Sequence, residues 1–147
     1  MNYQSLSPLC YDETEYMLVE LPYTDTLPFA AKRTLLRLTM DREIRPVIAH
    51  ADRYPYLFYH PEFLMELKEM GCLLQWNLTA FASRFARRRL ADYFSHGLVD
   101  LLGEDVHHAV LCGNKREKLM RGIQRSAPDL ISHVDACAAS LFTSNAI

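Results

Sequence analysis

The stretch Pro46-Val47-Ile48-Ala49-His50 is a short apolar run that ends in an ionisable residue. Three other short apolar runs occur in the chain: Tyr16-Met17-Leu18-Val19-Glu20-Leu21, Cys72-Leu73-Leu74-Gln75-Trp76-Asn77-Leu78 and Leu98-Val99-Asp100-Leu101-Leu102-Gly103. All four are short and bounded by turn signals, as buried parallel strands are. The pattern therefore predicts four strands of a parallel sheet.

Amphipathic stretches separate and follow these runs. They cover residues 28–40, 61–70, 83–95, 115–125 and 129–141. In the first stretch Phe29, Leu35, Leu36 and Met40 recur at helical spacing, and Gly71 is placed to end the second. Strands that alternate with helices are typical of βαβ units, so the sequence predicts an α/β fold. Four units make an open sheet or part of a (β/α) barrel, because a complete barrel needs roughly 250 residues.

Length and composition limit the class of protein. The chain has 147 residues, of which 50% are hydrophobic and 11% aromatic, so we expect one domain over 1–147 with a substantial core. Its net charge of −2 argues against nucleic-acid binding. Apolar runs fall short of the ~18–20 residues of a membrane span, and the first residues lack the layout of a signal peptide. These features predict a cytoplasmic protein with free thiols.

Polar side chains stand where the apolar runs end. Glu20, His50 and Asn77 follow the first three, and the fourth continues into Asp105 and His107. The carboxyl ends of parallel strands share one rim, which forms the site in many α/β proteins. Imidazoles with carboxylates favour Mn²⁺, Fe²⁺ or Zn²⁺ over Mg²⁺ alone. The pattern predicts a transition-metal site, although each residue taken singly is also compatible with a structural hydrogen bond.

Arginines offer two further features. Arg53 follows His50 by three residues, and a guanidinium there suits bidentate phosphate binding, with a surface ion pair as the alternative. A cluster in the third helical stretch is interpreted as a solvated helix face, with contact to an anionic partner as the alternative. Its members are Arg84, Arg87, Arg88 and Arg89.

Five segments in a fixed order carry a family resemblance. They are YMLVELP at 16–22, VIAHADRY at 47–54, the stretch 71–85, GEDVHH at 103–108 and SLFTSNA at 140–146. In order and spacing they resemble the bacterial tyrosine-protein phosphatases of the polymerase and histidinol phosphatase (PHP) superfamily. Those manganese-dependent enzymes are commonly encoded with capsule and exopolysaccharide genes.

The resemblance implies a site and an activity. Glu20, His50, Asp105 and His107 would be metal ligands, and Arg53 together with His50 would act in catalysis at the phosphate. Mn²⁺, with Fe²⁺ and Zn²⁺ as alternatives, would bind the phosphoester and activate the attacking water. The substrate would be a phosphotyrosine protein such as the tail of a bacterial tyrosine kinase. The fold would be a partial (β/α) barrel of PHP type, with the N-terminal strands missing.

The departures from the family pattern support an alternative. The family opens with an HxH strand that this sequence lacks, so about half of the family's metal ligands are absent, and Asp52 replaces a usual Glu. The alternative is a degenerate or truncated, non-catalytic relative that acts as an oligomeric scaffold or binds a phosphorylated partner. A further alternative is a metal hydrolase of histidinol phosphate or a nucleotide. Because missing strands leave open sheet edges, we also expect a homo-oligomer.

Overall fold

The computed structural model describes residues 10, 14–103 and 113–143. Strands and helices alternate along the described chain. The strands are β1 (Tyr16–Val19), β2 (Arg45–Ile48), β3 (Leu73–Asn77) and β4 (Leu101–Gly103). The helices are α1 (Phe29–Arg42), α2 (Pro55–Phe58), α3 (Pro61–Glu69), α4 (Arg84–Ser95), α5 (Gly113–Ser126) and α6 (Leu130–Thr143). Two 3₁₀ turns lie at Ala51–Arg53 and Leu78–Phe81.

The four strands form one parallel sheet in the order β1-β2-β3-β4. Val19 stands opposite Ile48, and Ile48 opposite Leu74, so the carboxyl ends of β1 and β2 lie side by side. On its other side β1 makes an isolated antiparallel bridge between Met17 and Cys10. The parallel sheet with helical connections confirms the α/β fold predicted from the apolar runs.

Local sequence explains where the helices begin and end. Ser83 caps α4, since its Oγ accepts a hydrogen bond from the backbone N–H of Ala86 at 3.0 Å. Gly71 follows α3 with a φ of +89°, a conformation that costs glycine little. The predicted stop at Gly71 is confirmed. The short helix α2 was not predicted, because four residues carry too little periodicity to be recognised.

Most of the core lies on one face of the sheet. Ile48, Leu74 and Trp76 point to that face and belong to one buried cluster with residues of helices α1 to α6. The Trp76 indole is fully buried and donates its N–H to the carbonyl of Leu98 at 2.9 Å. A smaller cluster occupies the opposite face around Val47, and it consists of Tyr16, Val47, Leu101 and Leu141.

Helix α1 differs from the prediction in the side it buries. Its buried residues are Leu35 and Leu38, whereas Phe29 is 77% and Met40 is 76% exposed, and Leu36 is also exposed. Helix α1 carries apolar side chains on more than one face, and their spacing alone does not predict which face packs against the sheet. None of the helices in the described part of the chain combines the length and apolar character that a membrane span requires.

Candidate functional site

Glu20 and His50 meet at the carboxyl ends of β1 and β2. Glu20 comes directly after β1, and His50 stands two residues after the end of β2. The parallel register brings the two ends together, and Nε2 of His50 lies 3.2 Å from Oε1 of Glu20. The imidazole is buried, whereas the Glu20 side chain is largely exposed. A carboxylate and an imidazole therefore share one rim of the sheet, open to solvent on the carboxylate's side.

The backbone and the ring of His50 are both unusual. Its φ of +36° and ψ of +57° lie in the left-handed region, which a residue with a Cβ rarely adopts. The ring stacks on Tyr54, with centroids 5.6 Å apart. Its Nδ1 is buried and has no hydrogen-bond partner among the described residues. Backbone strain and an unpaired buried nitrogen at one residue are features that concentrate at functional sites.

This arrangement fits a divalent cation. Nε2 of His50 and Oε1 of Glu20 face each other 3.2 Å apart, so both atoms can bind one cation that takes the place of the hydrogen bond between them. The Glu20 carboxylate also retains lone pairs of its own for a cation. Imidazole and carboxylate donors together suit Mn²⁺, Fe²⁺ and Zn²⁺.

The turn that follows His50 connects the carboxyl ends of β1 and β2 through a hydrogen bond. Arg53 closes this 3₁₀ turn, and its backbone N–H donates to the carbonyl of His50 at 2.9 Å. The Arg53 side chain is exposed near the same rim. The hydroxyl of buried Tyr54 accepts a hydrogen bond from the N–H of Leu21 at 2.9 Å. Burial raises the pKa of Tyr54 to about 12, so this hydroxyl stays protonated over a wide pH range.

Asp52 and Asn77 form a second polar link at the rim. The backbone N–H of Asn77 donates to Oδ1 of Asp52 at 2.8 Å, and its side-chain amide donates to Oδ2 at 3.2 Å. Asn77, which the sequence places at this rim, is thus held by a carboxylate from the neighbouring strand's turn. The sequence-based prediction does not include Asp52 among the site residues. Its position two residues after His50 could have indicated that it lies at the same rim.

Two of the expected ligands, Asp105 and His107, lie outside the described residues. They belong to the segment 104–112 that follows β4. The structure therefore places Glu20, His50 and Arg53 along one rim and leaves the positions of the other two as predictions.

The arginines of α4 divide into two groups. Arg89 differs from the expected solvated face, because its guanidinium lies over the rings of Phe58, Tyr59 and Phe85 at 5.1 to 5.7 Å. It also donates to the carbonyl of Phe58. The other three arginines line a surface groove with cations of α5, and the group consists of Arg84, Arg87, Arg88, Lys118 and Arg125.

A cavity of about 400 Å³ opens beside Asp52. It is lined by Asp52, Pro55, Phe58, Tyr59, Ser83 and Phe85, among others. Tyr59 and Phe85 are more than half exposed in it, so two aromatic faces are available to a ligand next to the rim.

Comparisons with known proteins agree with this architecture. A family model described as capsular polysaccharide synthesis, CpsB/CapC, matches residues 3–146. The fold is similar to that of a chain from the crystal structures of YwqE from Bacillus subtilis and CpsB from Streptococcus pneumoniae, described as unique metal-dependent tyrosine phosphatases. The TM-score is 0.72 at 19% sequence identity.

The structural match covers 90% of this chain and 55% of that chain, so this chain spans about half the length of its structural relative. At this identity the likeness concerns the fold, and it confirms the expected partial (β/α) barrel of PHP type. The resemblance drawn from the five segments is confirmed as well. Because the family model matches nearly the whole sequence, the chain belongs to the CpsB/CapC family of capsular polysaccharide synthesis proteins.

Proposed function

We propose that this chain is a metal-dependent phosphoesterase that hydrolyses phosphotyrosine in proteins. The observation that supports it most is the pair of His50 and Glu20, whose Nε2 and Oε1 lie 3.2 Å apart at the carboxyl ends of two neighbouring parallel strands. The similarity in fold to metal-dependent tyrosine phosphatases and the family match point the same way.

The proposed roles follow from the chemistry of each group. Glu20 and His50 hold a divalent cation, with Mn²⁺ as the first candidate and Fe²⁺ and Zn²⁺ as alternatives. Asp105 and His107 join them as ligands on the resemblance alone, since both lie outside the described residues. A bound cation of this kind polarises a phosphoryl oxygen and lowers the pKa of water. Arg53 binds the phosphate, because a guanidinium matches phosphate oxygens bidentately.

The cavity beside Asp52 supports an aromatic substrate. Phe85 and Tyr59 expose ring faces there, and Arg89 stacks against both rings. A phosphotyrosyl ring that packs on them would lie beside Asp52, the residue directly before Arg53 in the chain. The tail of a bacterial tyrosine kinase is the substrate protein we propose, on the basis of the family resemblance.

Phosphate release from a phosphotyrosine peptide tests the proposal. We expect turnover with added Mn²⁺ that chelation abolishes, and a fall of about 100-fold or more in His50→Ala, in line with the loss of a group acting on the reacting centre. His96→Ala is the matched control, since His96 is exposed at the end of α4 and should leave turnover unchanged. Absence of Mn²⁺-dependent turnover, or full turnover in His50→Ala, would contradict the proposal.

A non-catalytic relative is the second candidate. Glu20 and His50 contact each other directly, and such a pair also stabilises a strand end as a structural hydrogen bond. This candidate predicts that the protein binds a phosphotyrosine peptide without releasing phosphate. Isothermal titration with the peptide, run beside the turnover assay, separates the two functions.

We also propose that the chain acts as a homo-oligomer in the cytoplasm. β1 lies at the end of the strand order with Leu18 exposed, and α1 exposes Phe29, Leu36 and Met40. A second copy that covers these apolar side chains removes them from water. Light scattering at micromolar concentration should show more than one chain, and Met40→Glu should shift the protein toward monomer. Cell fractionation tests the location.

A further inference from the structure

A second cluster of metal-binding side chains lies away from Glu20 and His50. Asp100 stands directly before β4, and His133 and Cys137 lie one turn apart on α6. Each offers one ligand atom, and the three atoms lie within 4.8 Å of one another. Glu20 and His50 follow strands β1 and β2, whereas this cluster forms around the start of β4, two strands further along the sheet.

Asp100 is fixed by the sheet and by a lysine. Its buried Oδ2 accepts hydrogen bonds from the backbone N–H of Leu74 at 2.8 Å and from Nζ of Lys68 at 2.7 Å. Its Oδ1 accepts one hydrogen bond, from the same Nζ at 2.8 Å. A carboxylate oxygen has two lone pairs, so Oδ1 keeps one for a further partner. The carboxylate is therefore positioned in advance and can take up one more cation contact.

His133 and Cys137 face the carboxylate from α6. Residues four apart share one face of a helix, and Nε2 of His133 lies 3.5 Å from Sγ of Cys137. The ring of Phe94 packs against the imidazole, with centroids 5.4 Å apart. Paired ligands at this spacing on one helix are a common zinc-binding arrangement.

We propose that Asp100, His133 and Cys137 form a zinc site in which the fourth position is open to water. Thiolate, imidazole and carboxylate are the ligands that Zn²⁺ takes in proteins, and a thiolate selects against Mg²⁺ and Mn²⁺. The site joins α6 to the start of β4, so bound Zn²⁺ stabilises the attachment of α6. This proposal does not rest on the phosphatase function.

Lys68 sets the affinity of this site. Its ammonium lies on the same carboxylate that the metal uses, so the two cations repel each other. The Lys68 side chain is partly exposed and can swing into solvent when Zn²⁺ binds. Burial and the charge of Asp100 raise the pKa of Cys137, so the group is a thiol until a metal displaces its proton.

Titration with Co²⁺ as a spectroscopic probe tests the site. The full chain, metal-free and reduced, should develop a near-ultraviolet thiolate-to-cobalt absorption band that Zn²⁺ removes by competition. Cys137→Ser should abolish the band, and His133→Ala should weaken Co²⁺ binding by about tenfold or more. His50→Ala should keep the band, which separates this site from the proposed phosphatase site. Lys68→Met should tighten Zn²⁺ binding.

Two controls show whether Cys137 itself binds the metal. Cys10→Ser is the matched cysteine variant, because Cys10 lies outside the cluster and its loss should leave the band intact. If Cys137→Ser does not fold, thiol alkylation of the wild-type protein tests the site instead. Zn²⁺ should protect one thiol from alkylation, and mass spectrometry should identify it as Cys137. Lack of a cobalt band in the wild type, a band retained in Cys137→Ser, or unprotected Cys137 would each overturn the proposal.

Discussion

His50 at the end of β2 and Asp100 at the start of β4 are both buried ionisable residues, but their surroundings satisfy them differently. Asp100 has hydrogen bonds on both oxygens, from Lys68 and from Leu74. His50 has a partner on one nitrogen, none for the other within the described residues, and a left-handed backbone. Asp100 therefore stabilises the fold even without a metal, whereas His50 is strained and lacks a partner on one nitrogen.

Substitution of Asp100 should have the largest effect on stability. In metal-free protein with a chelator present, we expect Asp100→Asn to lower the free energy of unfolding by about 1.5–3 kcal/mol, the size of hydrogen bonds to charged groups. The amide keeps the shape of the carboxylate but leaves the Lys68 ammonium without its charge partner. Urea unfolding followed by circular dichroism measures the change.

Glu117→Gln is the control for Asp100→Asn. Glu117 pairs with Arg121 on the exposed surface of α5, and both side chains are about 70% exposed. Exposed pairs of this kind contribute about 0–1 kcal/mol, so the control should scarcely change stability. Equal effects of the two variants would show that the pair between Lys68 and Asp100 contributes no more to the free energy of unfolding than an exposed pair does.

The contrast also shows what the sequence could predict. The strands were found because each apolar run is local and bounded by turn signals. The pair between Lys68 and Asp100 spans 32 residues, and no local pattern relates one to the other. Similarly, the inward turn of Arg89 depends on Phe58 from a different element, and the sequence shows only its place among other arginines.

The rim itself was partly predictable. Glu20 and His50 end neighbouring parallel strands, and that rule alone brings them to one edge. The left-handed backbone of His50 was not predictable, because its neighbours Ala49 and Ala51 carry no turn signal. The link between Asp52 and Asn77 likewise depends on how two turns approach each other.

Alkaline pH should lower the free energy of unfolding through a buried thiol. Cys72, directly before β3, is fully buried, and burial raises its pKa from 9.0 to about 12. The unfolded chain loses this thiol proton near pH 9 while the folded chain keeps it. The stabilisation from the buried thiol is therefore complete below pH 9 and is lost as the pH rises toward 12.

A pH series of urea unfolding curves measures this loss. Between pH 9 and 10 we expect the wild type to lose up to about 1.4 kcal/mol per pH unit through Cys72, and Cys72→Ala to show a flatter profile. Tyr54 and Tyr56, whose pKa values burial raises from 10.0 to about 12, add to the slope above pH 10 in both proteins. An identical slope in the two proteins from pH 9 to 10 would contradict the assignment to Cys72.

The smallest expected effect tests the strain at His50. At its φ of +36°, a residue with a Cβ is disfavoured by about 1–2 kcal/mol relative to glycine. His50→Gly should therefore be more stable than His50→Ala by about 1 kcal/mol in urea unfolding, although both lack the imidazole. Ala49→Gly, one residue earlier, should show the opposite order, since glycine there gains nothing from a positive φ and loses more chain entropy on folding. If His50→Gly is no more stable than His50→Ala, the strain at the rim is absent in solution, and the unpaired Nδ1 alone distinguishes His50 from Asp100.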